Sequence, residues 1–321
     1  MRIAVTGATG FIGGAIVREA SSHGHEVIAL CRAAPAAPPA VSPTVSWQRL
    51  DEWLARSDRV DVLIHAAALR HRHGISGDEY SRVNVELTRH LLAHSAHLRV
   101  ARFVLISSIS VYGWPARSRL PIDESFPDDP VGPYGRSKAA TEELVRTAGV
   151  PWTIVQPSIT YGPGDTNGMV DKMMRMIARH QFVVPGLGHT RVQLIYIDDL
   201  ARVTLIAAQT NAALRARFIC TYPDPIRVDD LVQRMARLVH GRVAPFGPPT
   251  ALLRVAARGF EAMDRLGLFS GREPPLTREK LATISVDRAY RIDTMRRLLG
   301  TEPCIGYDDG LARTARAMNL S

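Results

Sequence analysis

Cysteine and long apolar runs are scarce in this chain of 321 residues. The three cysteines, Cys31, Cys220 and Cys304, are odd in number and far apart, which argues against a disulfide framework and a cysteine metal site. No apolar run approaches the roughly 20 residues that span a bilayer, so we expect no membrane span. We also expect no signal peptide, because Met1-Arg2 leads directly into an apolar run, and we predict a cytoplasmic location.

Lysine is the second scarce residue, since only Lys138, Lys172 and Lys280 occur among 40 lysines and arginines. The net charge of +9 therefore comes from arginines, which are scattered along the chain instead of forming a run. Scattered charge favours an anionic cofactor or substrate and argues against nucleic acid as a partner. The hydrophobic fraction of 46% and the charged fraction of 22% are typical of a globular protein with a substantial core.

A glycine motif follows the first apolar run. Residues 2–6 predict a buried strand, and Gly7, Gly10 and Gly13 come between this strand and a helical stretch. A strand, a glycine turn and a helix hold a dinucleotide pyrophosphate on the helix N-terminus. The spacing Gly-x-x-Gly-x-x-Gly differs from the common Gly-x-Gly-x-x-Gly, so the prediction depends on the position between strand and helix.

Tyr134 and Lys138 lie four residues apart in a stretch rich in helix formers. On a helix, both side chains point to the same face. Because a nearby ammonium lowers the pKa of a phenol, we predict that Lys138 lowers the pKa of Tyr134. Tyr134 would then exchange a proton with an alcohol or a ketone near neutral pH.

Strand-like apolar runs alternate with helix-like stretches over the first half of the chain. The alternation predicts an α/β fold with a parallel sheet and helices on both faces. Residues 192–197 predict a further strand, and the chain from about residue 225 onward is mostly helical with proline breaks. The strand-like runs of the first half are residues 3–5, 27–30, 62–64, 103–106 and 152–155.

Seven stretches in a fixed order carry a resemblance to a known family; they are residues 6–13, 64–68, 83–85, 107–113, 134–138, 156–164 and 196–201. With these motifs the chain resembles the extended short-chain dehydrogenase/reductases, and within them the 3β-hydroxysteroid dehydrogenase-like and dihydroflavonol reductase-like branches. The resemblance implies a Rossmann-type doubly wound parallel sheet with a smaller, mostly helical C-terminal substrate subdomain. Residues 1–165 would form the NAD(P)-binding domain and residues 166–321 the substrate region, of which about 192–222 would return to the first domain.

The resemblance also implies a set of site residues. Ser108 would hydrogen-bond the reacting oxygen, Tyr134 would move the proton, and Lys138 would hold the ribose and tune Tyr134. The cofactor would contact Gly7, Thr9, Gly10, Phe11, Ile12, Gly13, Arg32, Asp51, Ala66, Ala67, Tyr134, Lys138 and Pro157. The substrate would contact Ser108, Ser110, Asn84, Thr160 and Arg191.

Arg32 indicates which dinucleotide binds. An NAD site usually has a carboxylate at the end of the second strand to hold the ribose 2′-hydroxyl. Here that end reads Leu30-Cys31-Arg32, and an arginine pairs instead with a 2′-phosphate. We therefore predict NADP, with NAD as the alternative. Asp51, after the third strand, matches the family residue that touches the adenine amine.

His71 and His73 form a short basic stretch with Arg70 and Arg72. Two histidines suggest a metal, but a third ligand at suitable spacing is missing and the redox chemistry requires none. We expect no metal. The stretch would either line the substrate mouth and attract an anionic group or form a solvated basic loop.

The expected reaction is hydride transfer between the nicotinamide and a secondary alcohol or ketone of a small molecule. One alternative is a nucleotide-sugar epimerase, a dehydratase or a 4-keto-hexose reductase with the same triad. Sugar-nucleotide epimerases usually carry arginine where this chain has Gln156, which favours simple reduction. A non-enzymatic dinucleotide sensor is the alternative from another class, and the intact triad argues against it. A homodimer remains open.

Overall fold

The computed structural model describes residues 1–33, 42–56, 58–70, 74–184, 188–243, 247–269 and 274–320. Its strands are β1 (Arg2–Thr6), β2 (Glu26–Cys31), β3 (Val45–Arg49), β4 (Val62–His65), β5 (Arg102–Ile106), β6 (Trp152–Pro157), β7 (Ile159–Tyr161), β8 (Arg191–Val192), β9 (Leu194–Tyr196), β10 (Ala216–Cys220) and β11 (Ile226–Arg227). Seven of them form one sheet in the order β10-β6-β5-β4-β1-β2-β3, and every pair in it is parallel. The strand order reverses next to β1, as in dinucleotide-binding folds.

Twelve α-helices connect and cover these strands in the described part of the chain. They are α1 (Phe11–Ser22), α2 (Leu50–Ala55), α3 (Gly77–Tyr80), α4 (Glu86–His97), α5 (Gly132–Thr147), α6 (Met169–Ala178), α7 (Ile197–Gln209), α8 (Val228–Leu238), α9 (Thr250–Arg265), α10 (Arg278–Ser285), α11 (Asp293–Leu299) and α12 (Tyr307–Ala317). A π-helical turn, Ser81–Val85, joins α3 to α4. The predicted α/β fold class is confirmed.

Successive side chains of the central strands enter two different cores, because a strand points alternate residues to opposite faces. In β1, Ile3 and Val5 belong to one apolar cluster, and Ala4 belongs to the other. The first cluster includes α1 and α7, and the second includes α2, α4 and α5. The sheet is therefore covered on both faces, as its continuous apolar strands require.

The second half of the chain is tied to the first. Strand β10 joins the central sheet beside β6, and the first apolar cluster extends from β1 to residues of α12. The division at residue 165 stays a prediction. Within the described ranges, no helix combines the length and apolar composition that crossing a membrane requires.

The single strand predicted over residues 192–197 is wrong in detail. The structure has two short strands there, β8 and β9, which pair with different partners. Gln193 lies between them, almost fully buried, and its amide donates to the carbonyls of Tyr222 and Pro223 at 3.0 and 2.9 Å. A side chain that is bonded in this way redirects the backbone, and the apolar pattern gives no sign of it.

Candidate active site

The candidate site lies at the carboxyl edge of the central sheet. Because the strands are parallel and in register, Thr6 of β1 stands beside Leu30 of β2 and His65 of β4. The loops that follow these strands therefore meet at one edge, where open α/β sheets bind ligands. The glycine loop, Arg32, Ala66, Ser108 and Pro157 all lie on or directly after these strand ends.

The glycine loop has the shape of a dinucleotide cradle. Gly7 has φ +69°, and a Cβ there would lie 2.9 Å from the backbone nitrogen of Ala67. A Cβ on Gly13 would lie 2.2 Å from the carbonyl oxygen of Gly7. Only glycine permits such close approach of helix α1 and the β4 loop to the turn.

The start of helix α1 suits an anionic group. Gly10 occupies the cap position with no side-chain cap, and no acidic residue lies in the first turn. Thr9 and Gly10 are exposed, whereas Phe11 and Ile12 are half-buried. The unpaired N–H groups and the positive end of the helix dipole therefore face outward, where a pyrophosphate fits.

Arg32 is exposed immediately after β2, at the same edge. Strand β3 places Arg49 opposite Cys31, so a second guanidinium lies one strand away. The carboxylate of Asp51 accepts from the Arg49 side chain and from the backbone N–H of Glu52. This ion pair holds the pKa of Asp51 below its usual range. The structure gives Asp51 these partners, and its contact with adenine stays a prediction.

A buried histidine, which the sequence analysis did not single out, supports the β4 loop. His65 Nδ1 lies 2.8 Å from Thr6 Oγ1, and His65 Nε2 lies 3.1 Å from Thr88 Oγ1. Thr88 donates to the carbonyl of Asn84 and Thr6 accepts from the N–H of Ala67, so the proton of the ring lies on Nε2. Burial and the charge of Lys138 lower the pKa of His65 to about 3, and the ring stays neutral.

Asn84 is part of the same support. It lies in the π-helical turn and is almost fully buried. Its amide accepts from the N–H of Leu69 at 2.7 Å and donates to Ser137 at 3.0 Å. These bonds fasten the β4 loop to helix α5, and a contact between Asn84 and substrate stays a prediction. π-Helical turns often occur at functional sites.

Ser108 and Tyr134 are brought together by the fold, and their side chains are hydrogen-bonded. Ser108 accepts from the N–H of Ser110 at 3.1 Å and from its hydroxyl at 2.8 Å. With both lone pairs occupied in this way, the hydroxyl of Ser108 is left to donate to the Tyr134 oxygen. Such a bond stabilises a phenolate and supplies part of what a proton-transfer group needs.

The pKa of Tyr134 differs from our expectation. Burial raises it to about 12, while the bond from Ser108 and the positive charge of Arg70 act in the opposite direction. The predicted lowering by Lys138 is wrong for this structure, because the ammonium points elsewhere. Lys138 Nζ donates to the carbonyl oxygen of Ile106 at 2.9 Å, and burial lowers the pKa of this lysine to about 8.

The buried carboxylate of Glu142 lies one helical turn after Lys138 on α5. Glu142 is fully buried on α5 and accepts hydrogen bonds from Ser107 and from Gln156. Its charge raises the pKa of Lys138, against the effect of burial. The i, i+4 spacing that joined Tyr134 to Lys138 also places Glu142 next to Lys138, so the sequence contained a signal for it. Gln156 points into this network and not to the sheet edge.

Arg70 is a cation on the open side of the site that sequence reasoning treated only as part of a basic stretch. Its Nη1 lies 3.0 Å from Asp165 Oδ1, and the Asp165 carboxylate is buried while Arg70 is half exposed. The carbonyl of Arg70 accepts from Tyr80, whose ring packs edge-on against Tyr134. Arg70 and Asp165 are 95 residues apart in the sequence, so no local sequence pattern could predict their ion pair.

The remaining predicted residues are scattered around this centre. Thr160 is half-buried in β7, with its hydroxyl on the carbonyl of Ser158, and Pro157 is buried at the end of β6. Arg191 is exposed in β8, and its backbone N–H donates to Asp287. Described contacts link none of these three to Tyr134, so their ligand contacts stay predictions.

His71 and His73 lie outside the described residues, and the structure does not test a metal there. Among the residues that the structure describes, no group of three or more histidine, cysteine and acidic side chains is arranged to hold a metal ion.

The fold and this edge define a nicotinamide-dinucleotide enzyme of the short-chain dehydrogenase/reductase superfamily. The model of the NAD dependent epimerase/dehydratase family matches residues 3–219. The chain belongs to this family and is an NAD(P)-dependent enzyme of the extended short-chain dehydrogenase/reductase type.

Known relatives include reductases and epimerases. A 2-alkyl-3-oxoalkanoate reductase of Stenotrophomonas maltophilia is 26% identical over 98% of this chain and 98% of its own length. A ceramide reductase of Caulobacter vibrioides is 32% identical over 62% of this chain and 58% of its own length. The solved UDP-glucuronic acid 4-epimerase of Bacillus cereus in complex with NAD is 20% identical, with 99% of both chains covered and a TM-score of 0.74. This last likeness shows the fold.

Proposed function

We propose that this enzyme reduces a ketone to a secondary alcohol with NADPH, and that Tyr134 donates the proton. The observation that carries the proposal is the hydrogen-bonded pair of Ser108 and Tyr134 at the edge where the glycine loop lies. A reduced nicotinamide, when bound, supplies the hydride. The chain then has to supply one proton to the carbonyl oxygen and hydrogen bonds for the negative charge that develops there.

Three side chains of the site supply this proton, stabilise the charges and hold the dinucleotide. Tyr134 keeps its proton until the reaction, since burial raises its pKa to about 12, and it donates to the oxygen as alkoxide character develops. Ser108 donates to the phenolic oxygen and stabilises the phenolate that remains. The buried Lys138 lies on the same face of α5, and its ammonium, which donates to the Ile106 carbonyl, would hold the nicotinamide ribose when the dinucleotide is bound.

The substrate that we propose carries an acidic group close to its ketone. Arg70 is held by the buried Asp165, is half exposed, and is close enough to Tyr134 to lower its pKa. A guanidinium in this position would bind a carboxylate beside the reacting carbonyl. One relative that covers 98% of this chain is a 2-alkyl-3-oxoalkanoate reductase, which fits this chemistry.

NADPH is the proposed dinucleotide because Arg32 is exposed at the end of β2, with Arg49 on the neighbouring strand. The guanidinium of Arg32 favours a 2′-phosphate over a bare ribose hydroxyl, whereas that of Arg49 is already paired with Asp51. The homodimer and the cytoplasmic location are also proposals, and they rest on the sequence alone.

Tyr134→Phe is the test of the proton donor. We expect kcat for ketone reduction to fall by about 10²–10⁴-fold, because the variant lacks only the transferable proton. NADPH affinity, measured by fluorescence titration, should be nearly unchanged. A variant that keeps more than half of the wild-type kcat would remove Tyr134 from the mechanism.

A substrate panel distinguishes reduction from epimerisation. Purified enzyme is incubated with NADPH and either 2-alkyl-3-oxo acids or their methyl esters, and separately with NAD⁺ and UDP-glucose, and the redox state of the dinucleotide and the sugar products are measured. We expect turnover of the acids and weaker turnover of the esters, which lack the charge that Arg70 would bind. Interconversion of UDP-sugars without net reduction of NAD⁺ would overturn the proposal in favour of an epimerase.

A further inference from the structure

Helix α9 exposes its apolar side chains to a degree that no other part of the described chain matches. Eleven large apolar residues are exposed among the described residues, and five of them lie between residues 252 and 268. These five are exposed by 40–77% and are Leu252, Val255, Met263, Leu266 and Leu268. Only Ala257 of the sixteen helix residues is buried.

The residues of α9 sort into three rows. One row, with spacings of three and four, holds Leu253, Ala257, Phe260 and Asp264 and is the least exposed. A second row holds the exposed arginines Arg254, Arg258 and Arg265. The third, which we call the α9 apolar row, contains Leu252, Val255, Met263 and Leu266 and continues to Leu268 in the turn that follows. Helical spacing of three and four residues keeps each row on its own face.

The protein fixes this helix through Phe260 of the least exposed row and through the neighbouring Glu261. Glu261 accepts from the backbone N–H and the guanidinium of Arg278, at the start of α10, at 2.8 and 2.7 Å. Phe260 packs against Phe269 with ring centroids 6.2 Å apart. The apolar row therefore faces outward because α9 is anchored by its other side.

The size of the apolar row marks it as a binding surface. Five side chains with these exposures present roughly 500 Å² of apolar surface, near the upper limit of what monomeric proteins leave uncovered. A stable protein interface covers about 800 Å² on each partner, a little over half of it apolar, so the neighbouring arginine row and not the area favours lipid as the partner. A lipid surface has no such minimum, because an amphipathic helix binds it with a single apolar face.

We propose that α9 and the turn after it lie on a bilayer surface that contains anionic lipid. The apolar row would enter the boundary between headgroups and acyl chains, and the row of three arginines would contact phosphate groups beside it. Arginine stems reach from an apolar surface to a polar one, so an arginine row next to an apolar row suits this boundary. The net charge of +9 adds long-range attraction to an anionic surface.

This placement has a consequence for the rest of the molecule. Thr250, the first residue of α9, lines a cavity of about 470 Å³ together with Arg117, Thr190 and Asp287. A membrane-bound α9 would bring this cavity close to the lipid, where molecules with alkyl chains are concentrated. The proposal concerns the surface of α9 and does not depend on the reaction proposed for Tyr134.

Vesicle co-sedimentation tests the proposal with the full-length protein. We expect binding to mixed phosphatidylglycerol/phosphatidylcholine vesicles, weaker binding to phosphatidylcholine alone, and a decrease at high salt. The triple variant Leu252→Ser, Val255→Ser, Leu266→Ser should bind at least roughly tenfold more weakly, because it loses three apolar side chains from the interface. Arg254→Gln with Arg258→Gln should reduce the preference for the anionic vesicles.

Leu214→Ser is the matched control, since Leu214 is exposed by 41% but lies far from α9 in the sequence. It should bind vesicles as the wild type does. Reduction of a water-soluble ketone should be unchanged in every variant, which separates this test from that of the reaction. The proposal would be overturned if the wild-type protein did not co-sediment with vesicles, or if the triple variant bound them as tightly as the wild type. A wild-type dimer that the triple variant converts to monomer in light scattering would assign the row to a second copy instead.

Discussion

At the scale of single residues, Lys138 is the most unusual group, because its ammonium is buried on α5 with a pKa lowered from 10.5 to about 8. Between these two pH values the unfolded chain binds a proton that the folded protein has released. The folded state therefore gains stability as the pH rises through this window, and below about pH 8 the buried charge costs stability.

We expect the free energy of unfolding of the wild type, relative to Lys138→Met, to rise on the order of 2 kcal/mol between pH 8 and pH 10.5. Urea unfolding at several pH values across this window measures it. Lys172→Met, which removes an exposed lysine of α6, is the control for the loss of one positive charge. A flat difference for Lys138→Met would mean that the ammonium stays charged in the folded protein.

At the same scale, the proposed preference for NADPH rests on Arg32. Arg32→Asp should weaken NADPH binding and improve NADH binding, because it removes a charge-assisted bond and adds a carboxylate that repels the 2′-phosphate. Losing such a bond costs on the order of 1.5–3 kcal/mol, so the preference ratio should change by roughly tenfold or more. Fluorescence titration of both proteins with each dinucleotide measures the ratio, and an unchanged ratio would leave the proposed NADPH preference without support.

At the scale of elements, helix α1 is fitted against the glycine loop with no room for a methyl group at Gly13. Alanine is normally the better helix former by about 1 kcal/mol. At Gly13 the added Cβ would instead meet the carbonyl of Gly7 at 2.2 Å. Helix propensity therefore predicts that Gly13→Ala raises the free energy of unfolding, whereas the packing around Gly13 predicts that it lowers it.

Gly13→Ala should lower the free energy of unfolding by about 1–3 kcal/mol through overpacking and should weaken dinucleotide binding. Gly259→Ala is the matched control in another helix, where a Cβ meets nothing within 4 Å. It should raise stability by about 0.5–1 kcal/mol. Denaturant unfolding of both variants measures these changes in the free energy of unfolding. A change of the same sign in both variants would contradict the tight fit of α1.

At the scale of the whole molecule, one apolar cluster joins the two halves of the chain. It contains Ile3 and Val5 of β1, and also Leu311 and Ala315 of α12. A core that is shared in this way predicts a single unfolding transition, because neither half keeps its apolar surface covered when the other unfolds.

Leu311→Ala should therefore destabilise the entire molecule by about 2–5 kcal/mol, since Leu311 is fully buried. All four tryptophans lie between Trp47 and Trp152, so tryptophan fluorescence reports the first half alone. We expect the fluorescence midpoint and the far-UV circular dichroism midpoint to fall together. A fluorescence midpoint that stays at the wild-type value would show that the C-terminal region unfolds as a separate domain.

Local patterns in the sequence were sufficient for β1, β2, β4, β5 and β6, for the glycine turn and for the placement of Tyr134 and Lys138 one turn apart on a helix, but they did not give the bounds of β3, which has no buried apolar run. Each of the predicted features follows from a period of two or 3.6 residues, or from the freedom of glycine at positive φ, and such properties act over a few neighbouring residues. The order of the family's motifs then extended these elements to the α/β fold, which the structure and the family match confirm.

Tertiary structure alone decided which groups surround the reacting edge. The pair of Arg70 and Asp165 and the chain from Thr6 through His65 to Thr88 join residues that are distant in the sequence. The direction of Lys138 was also a tertiary result, because the carbonyl of Ile106 is supplied by another element. Burial and long-range partners set pKa values and side-chain directions, and neither is encoded in the spacing of nearby residues.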